Sequence, residues 1–470
     1  MLVSLQWLRS PYRYLDHALV QGRITFRQRL PMMGDCLLTG DPSLVGEIVK
    51  NRQLIGGRGT EALRPVVGDY SLIALEGPRH EAHRSILLPL FFSDESGKFQ
   101  AITQRWTERE LRNIRPGEVV SGSDWVARIT LNAIVEMMFG SITPAEQQQG
   151  VQLVEQWMRS FRQSAVLFLR PLHIDLGALS PWGRFVRNRA RVHAYIKGHL
   201  ERLRRQPDDS ALSAMARARP ENASPLTDDE IVSEAVTFLL FGHDTSAAAM
   251  GWVFAHLLRE PDALAQAQAE IAASTGGNIA TIADAHPFVR SIIQESMRLT
   301  PVVVHLTRHA LADTSIGGHA VKAGTRVLPC MYLAHRNPEV FERPNQFVAA
   351  RFVNPDPRWR HSYFPFGLGT RLCAGMPSAL RQMMVILISM LTSSSFELVE
   401  PENITAVRKM VLIVPSGGPL IRRLTCERPK KQHRCWWSPA ACSTKRKHRS
   451  GVPSESRGCN GAPPSQPGST

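Results

Sequence analysis

The sequence predicts a mainly α protein with small β-sheets, built as one large domain. Three observations carry that expectation. Helical signals dominate the 470 residues, strand-like runs are short (35–38, 320–328 and 411–414), and a largely apolar segment runs from Thr227 to about Arg259. A helix of about 30 residues is roughly 45 Å long, the span of a whole domain, so this element is expected to cross the core. No repeat at solenoid or propeller periods is present, and the polar stretch 206–225 reads as a surface excursion between helices rather than a linker.

Taken in chain order, the first element of interest follows Gly77-Pro78-Arg79-His80. Pro78 suits the first turn of a helix, and His80 and Arg84 then lie at i and i+4 on one face. In isolation that is an ordinary solvated face. The long helix opens at Thr227-Asp228-Asp229-Glu230, a capping box, and Pro261 marks its end. Within it, Phe241-Gly242-His243-Asp244-Thr245-Ser246 interrupts apolar sequence on both sides. Buried polar groups are costly unless satisfied or used. Glycine costs about 1 kcal/mol in mid-helix relative to alanine, so Gly242 implies close approach by something flat or a local opening of the ladder. A kink with satisfied polar groups is the plainer alternative.

Glu295 and Arg298, three apart, share a helical face; alone they make a surface pair worth a few tenths of a kcal/mol. Then come His335-Arg336-Asn337-Pro338 and Phe347-Val348-Ala349-Ala350-Arg351-Phe352. The most informative segment is Phe366-Gly367-Leu368-Gly369-Thr370-Arg371-Leu372-Cys373-Ala374-Gly375, with a helical run after it. Its glycines permit positive φ, so the backbone before Cys373 is expected to curl with its amides toward the sulfur. Arg371 and the helix start are expected to lower the thiol pKa and favour the metal-binding anion. An inert buried cysteine is the commoner use of such a residue. A dinucleotide fingerprint fails because position 372 is Leu, and zinc lacks a second nearby cysteine.

With 43% hydrophobic and 21% charged residues the chain is globular in composition. Its net charge of +15 is uneven: nine Lys and Arg against two Glu lie from Glu427 onward, about +7. We therefore divide the chain into a domain over 1–424 and a basic, Cys/Pro/Ser-rich tail over 425–470, expected to be disordered. Four of the seven cysteines (Cys426, Cys435, Cys442, Cys459) lie in that tail at spacings that match no zinc or iron–sulfur pattern. Cys36, Cys330 and Cys373 make no disulfide framework, and no apolar run approaches the roughly 20 residues of a membrane span. No signal peptide is evident, so a cytoplasmic protein without a nucleic-acid role is expected.

The joint pattern Phe-Gly-x-Gly-x-Arg-x-Cys-x-Gly resembles the haem-binding loop of the cytochrome P450 family, and the resemblance extends over roughly 35–424 with the motifs in family order. It implies the family fold, with haem b between the long helix and the cysteine loop, and Cys373 as the iron ligand. Phe366, Gly367 and Gly375 would shape the cofactor loop, and His80, Arg84, Arg308 and Arg371 would face the propionates. Asp244 and Thr245 match the acid–alcohol pair of the family's oxygen-binding signature, with Phe241 where alanine is usual, narrowing the space over the haem. Glu295, Arg298 and Arg351 would form the family's structural triad, with weaker support because Ala349-Ala350 replaces Pro-Glu. By relative motif position, Phe238, Phe241, Val303, Val304 and Ser416 would contact substrate. The implied activity is insertion of one oxygen atom of O2 into a small apolar molecule, using two electrons from a separate ferredoxin with its reductase or a flavodoxin, docking near Arg371. A haem-thiolate peroxygenase or isomerase, and a non-catalytic haem sensor or carrier, are the alternatives.

Overall fold

The computed structural model describes residues 6–7, 10–56, 63–92, 97–162, 173–219, 224–274 and 285–424. Met1–Arg428 form one compact unit, while the tail expected from residue 425 lies outside the described residues. The helices are α1 (Pro11–Val20), α2 (Pro42–Lys50), α3 (Arg64–Val67), α4 (Gly77–Phe92), α5 (Lys98–Asn113), α6 (Gly122–Phe139) and α7 (Pro144–Arg162). They continue with α8 (Pro181–Arg205), α9 (Ala211–Arg217), α10 (Asp228–Leu257), α11 (Pro261–Ala273), α12 (Pro287–Leu299), α13 (Met331–Ala334) and α14 (Met376–Ser393).

Strands are subordinate, as expected. β1 (Thr25–Leu30), β2 (Gly34–Thr39), β3 (Leu54–Ile55), β5 (Arg308–Ala310) and β8 (Arg326–Pro329) form a sheet ordered β1-β2-β8-β5-β3, in which β2 and β8 run parallel. β4 (Val119–Ser121), β12 (Leu420–Arg423) and β9 (Phe396–Val399) form an antiparallel sheet, and β6 (Thr314–Ile316) with β7 (His319–Val321) and β10 (Ala406–Lys409) with β11 (Leu412–Pro415) form hairpins. The run expected over 320–328 is two strands, β7 and β8, because Gly324 turns the chain at φ +84.

The element that positions the site is α10. Its capping box is formed: the Glu230 carboxylate accepts from the Thr227 N–H at 2.8 Å, and the Thr227 hydroxyl accepts from the Glu230 N–H. Three acidic residues fill the first turn, where the helix dipole favours them. Ala235, Val236, Met250, Val253 and Phe254 are fully enclosed, and a helix apolar around most of its circumference belongs in a core. It packs along α6. A Cβ on Gly242 would lie 3.1 Å from Ile134 Cδ1, and one on Gly251 would lie 2.2 Å from Ser123 Oγ. The helix runs unbroken through Gly242. Of the two readings offered for Gly242, the helix shows no opening of the ladder, and the close approach is that of Ile134 on α6.

Candidate functional site: a thiol ringed by basic side chains

Gly367 (φ +84) and Gly369 (φ +66) give the loop before Cys373 its curl, and the Cys373 N–H donates to the Phe366 carbonyl at 2.8 Å. The amides aimed at the sulfur come from the other side, from Gly375 and Met376 where α14 begins. The sequence-based expectation placed them upstream; the first turn of α14 supplies them instead. The thiol is reachable by solvent although it lies deep in the protein. Burial pushes it up from its ordinary value, opposed by those two amides and the Arg84 charge. The expected lowering is thus reversed in the free thiol, and the cation that acts on it is Arg84 rather than Arg371. Arg84 Nη1 also donates to the Leu372 carbonyl at 2.8 Å.

Arg371 points elsewhere. Its guanidinium donates to the carbonyls of Leu72 (3.1 Å) and Leu75 (2.5 Å) and pairs with the Glu76 carboxylate at 2.6 Å. Its side chain is only 14% exposed. His80 is buried, and burial with the neighbouring charges of Arg371, Arg84 and His83 pushes it down to about 4. Arg308 is buried on β5, and desolvation with the Arg371 charge holds it down to about 10, while Glu76 pulls the other way. Arg84 and Arg308 both donate to carbonyls of the cysteine loop, those of Leu372 and Leu368, and the charges of Arg84 and Arg371 act on His80.

Along α10, the Thr245 hydroxyl donates to the Phe241 carbonyl at 2.7 Å, and His243 bonds the Leu239 carbonyl through Nδ1. Asp244 and Thr245 are half-buried. Phe238 and Phe241 are half-buried on the edge of the large α6–α10 core. Val303, like Leu306 and Leu368, packs against the cluster of Val45, Met331, Ala334 and Phe364. Val304 does not join it. Its side chain is buried with Trp7, Tyr12 and Tyr332, because successive residues here face opposite sides of the chain. The Ser416 hydroxyl is committed within its hairpin, accepting from Thr405 N–H at 3.0 Å and donating to the Asn403 carbonyl at 3.1 Å.

The triad is assembled. Arg298 Nε meets Glu295 Oε2 at 2.7 Å, Arg351 Nε lies 3.1 Å from both Glu295 oxygens, and Glu295 and Arg298 are fully buried. Arg298 also donates to the carbonyls of His335, Pro344 and Gln346, and Arg351 to that of Glu342. Backbone carbonyls thus supply much of the support around the two arginines.

Two features escaped the sequence reading. Glu76, immediately before the His80 and Arg84 segment, joins the basic cluster; an acid at that place was a usable signal. The other is a buried network in which His83 Nδ1 lies 2.7 Å from Glu234 Oε1 and Glu230 pairs with Arg79. Burial pushes the Glu234 carboxyl up, whereas hydrogen bonds from Thr227, Arg79 and His83 overcome burial and hold Glu230 down to about 2. Spacing alone could not pair residues 147 to 151 positions apart.

The donor set fits a haem. A deep, reachable thiol faced by two N–H groups suits an iron ligand, a Cβ on Gly375 would meet no atom within 4 Å, and the basic cluster suits two propionates. A family model described as Cytochrome P450 matches residues 32–421. Cytochrome P450 137 of Mycobacterium tuberculosis is 28% identical over 400 residues, covering 83% of this chain and 81% of the relative. Cytochrome P450 138 of Mycobacterium bovis is 28% identical over 398 residues, covering 84% and 87%. Among solved structures, a retinoic acid-bound cyanobacterial CYP120A1 superimposes with TM-score 0.78 at 20% identity, covering 89% of this chain and 95% of that one. The haem domain of cytochrome P450DA gives TM-score 0.78 at 22% identity, covering 88% and 93%.

Proposed function

This chain belongs to the cytochrome P450 family, a haem-thiolate monooxygenase, and from that premise we propose that Cys373 is its iron ligand and Asp244 and Thr245 its proton-handling pair. The observation that carries the reading is the deep, solvent-reachable Cys373 sulfur, faced by the amides of Gly375 and Met376 and by Arg84. When bound, haem b supplies dioxygen activation and the transfer of one oxygen atom to a C–H bond.

The chain's residues supply the setting. The two amides and Arg84 stabilise negative charge on the Cys373 sulfur, offsetting the desolvation that otherwise favours the thiol. Arg84, Arg308 and His80, with Arg371 behind them, bind and orient the propionates. Thr245 Oγ1 holds a proton on the Phe241 carbonyl, at the place where the long helix borders the reaction space. Asp244, the adjacent acid, replenishes it through water. Phe238, Phe241 and Val303 form the apolar wall, which favours a small apolar substrate; Val304, buried in another cluster, and Ser416, bonded beside its hairpin, take no part in it. Glu295, Arg298 and Arg351 fix the segment 335–351 that leads into the cysteine loop, retaining haem rather than reacting.

Two electrons come from a separate ferredoxin or flavodoxin in this reading, and the protein works in the cytoplasm with the 425–470 tail outside its catalytic domain. Among the described residues, no single helix is long and apolar enough to cross a membrane. The test of the central assignment is the reduced carbon monoxide spectrum. Wild-type protein gives the thiolate-type band and Cys373→Ser loses it. Survival of that band in the variant would overturn the assignment.

A further inference from the structure

Cations and anions in the propionate cradle can be counted. Arg84, Arg308 and Arg371 are guanidiniums, which stay charged in proteins. His80 is buried among them, and burial with the Arg371 and Arg84 charges pushes it down to about 4, so before haem binds it adds no charge to theirs near pH 7. That leaves three positive charges for two propionates. Glu76 is the fourth charged group: it pairs with Arg371 at 2.6 Å and acts on Arg308 as well.

The pair is fixed in place. Arg371 donates to the Leu72 and Leu75 carbonyls, which hold its guanidinium against the strand of chain ending at Glu76. Glu76 is half-buried and its partner more so, which weakens solvent screening of their charges. Gly56 packs on the arginine stem, since a Cβ there would lie 2.9 Å from Arg371 Nε. Arg371 therefore reaches the cradle as half of an ion pair rather than as a free cation.

We propose that Glu76 is a built-in counter-carboxylate that sets the cradle to a net charge of +2, matching the two haem propionates. This rests on the haem reading above. Its consequence is electrostatic. Removing a fixed negative charge near the haem favours the reduced, more electron-rich iron, and leaves the Arg371 charge uncompensated for a propionate to pair with. Glu76 acts through Arg371 and the propionates, so it is a positioning residue.

The test uses haem-loaded protein. In Glu76→Gln the iron midpoint potential moves positive, and haem transfer to excess apomyoglobin slows by about threefold or more. Glu76→Asp, which keeps the charge, stays close to wild type. The double variant E76Q/R371Q returns the cradle to +2 and brings the potential back toward wild type. It is also the variant to measure should Glu76→Gln be insoluble. Unchanged potential and haem-loss rate in Glu76→Gln, or a double variant displaced further than the single, would overturn the proposal. Wild-type protein that loads haem without a thiolate-type carbon monoxide band would instead overturn the Cys373 assignment and leave the charge count standing.

Discussion

Thr245 presents a hydroxyl whose proton is already engaged, on the Phe241 carbonyl at 2.7 Å. Positioned proton transfer contributes on the order of a hundredfold or more to a rate. Thr245→Ala is therefore expected to keep the thiolate spectrum while product formed per electron pair falls about tenfold and hydrogen peroxide rises. Fully coupled turnover in that variant, measured with a ferredoxin-type donor, would favour the peroxygenase or isomerase alternative. The residue scale also shows how far sequence carries. The pairing of Glu295 with Arg298 and Arg351 was legible because each sits in a motif whose order is informative. The direction of Arg371 was not, because a guanidinium on a long stem chooses among acceptors that only the fold brings near, here Leu72, Leu75 and Glu76. The free-thiol shift of Cys373 was misread for a related reason: desolvation depends on depth, which spacing does not encode.

At the scale of elements, the α6–α10 contact has a measurable signature. Gly242→Ala gains about 1 kcal/mol in helix propensity but forces a Cβ to 3.1 Å from Ile134 Cδ1, and overpacking a well-filled contact costs typically 1–3 kcal/mol. The net expectation is a loss of about 1 kcal/mol in urea unfolding, recovered by adding Ile134→Val. Additive effects of the two substitutions would show that the contact is not the reason for the glycine. The start of α10 was readable to the residue because a capping box is a local device. The order β1-β2-β8-β5-β3 was not readable, since it joins strands from opposite ends of the sequence.

Across the whole molecule, buried histidines set the response to acid. His256 and His335 are pushed down to about 3, and His305 to about 4, chiefly by burial, with nearby guanidiniums adding to it. The native state keeps them neutral, whereas the unfolded chain protonates them near pH 6.5, so the unfolded state binds more protons as the solution acidifies. Their contribution to stability is complete above about pH 6.5 and is lost progressively toward pH 4, at up to ~1.4 kcal/mol per pH unit for each. Urea midpoints measured from pH 7.5 to 4.5 should fall monotonically, and a flat profile would contradict this. The same scale gives the chain from Ser71 to Glu76 its meaning. Ser71 is tied to Thr237 and the Leu72 N–H to Glu234, both on α10, while Arg371 of the cysteine loop holds Leu72, Leu75 and Glu76. A segment riveted along both edges is a wall and not a door, so a molecule bound for the haem must come in by another route.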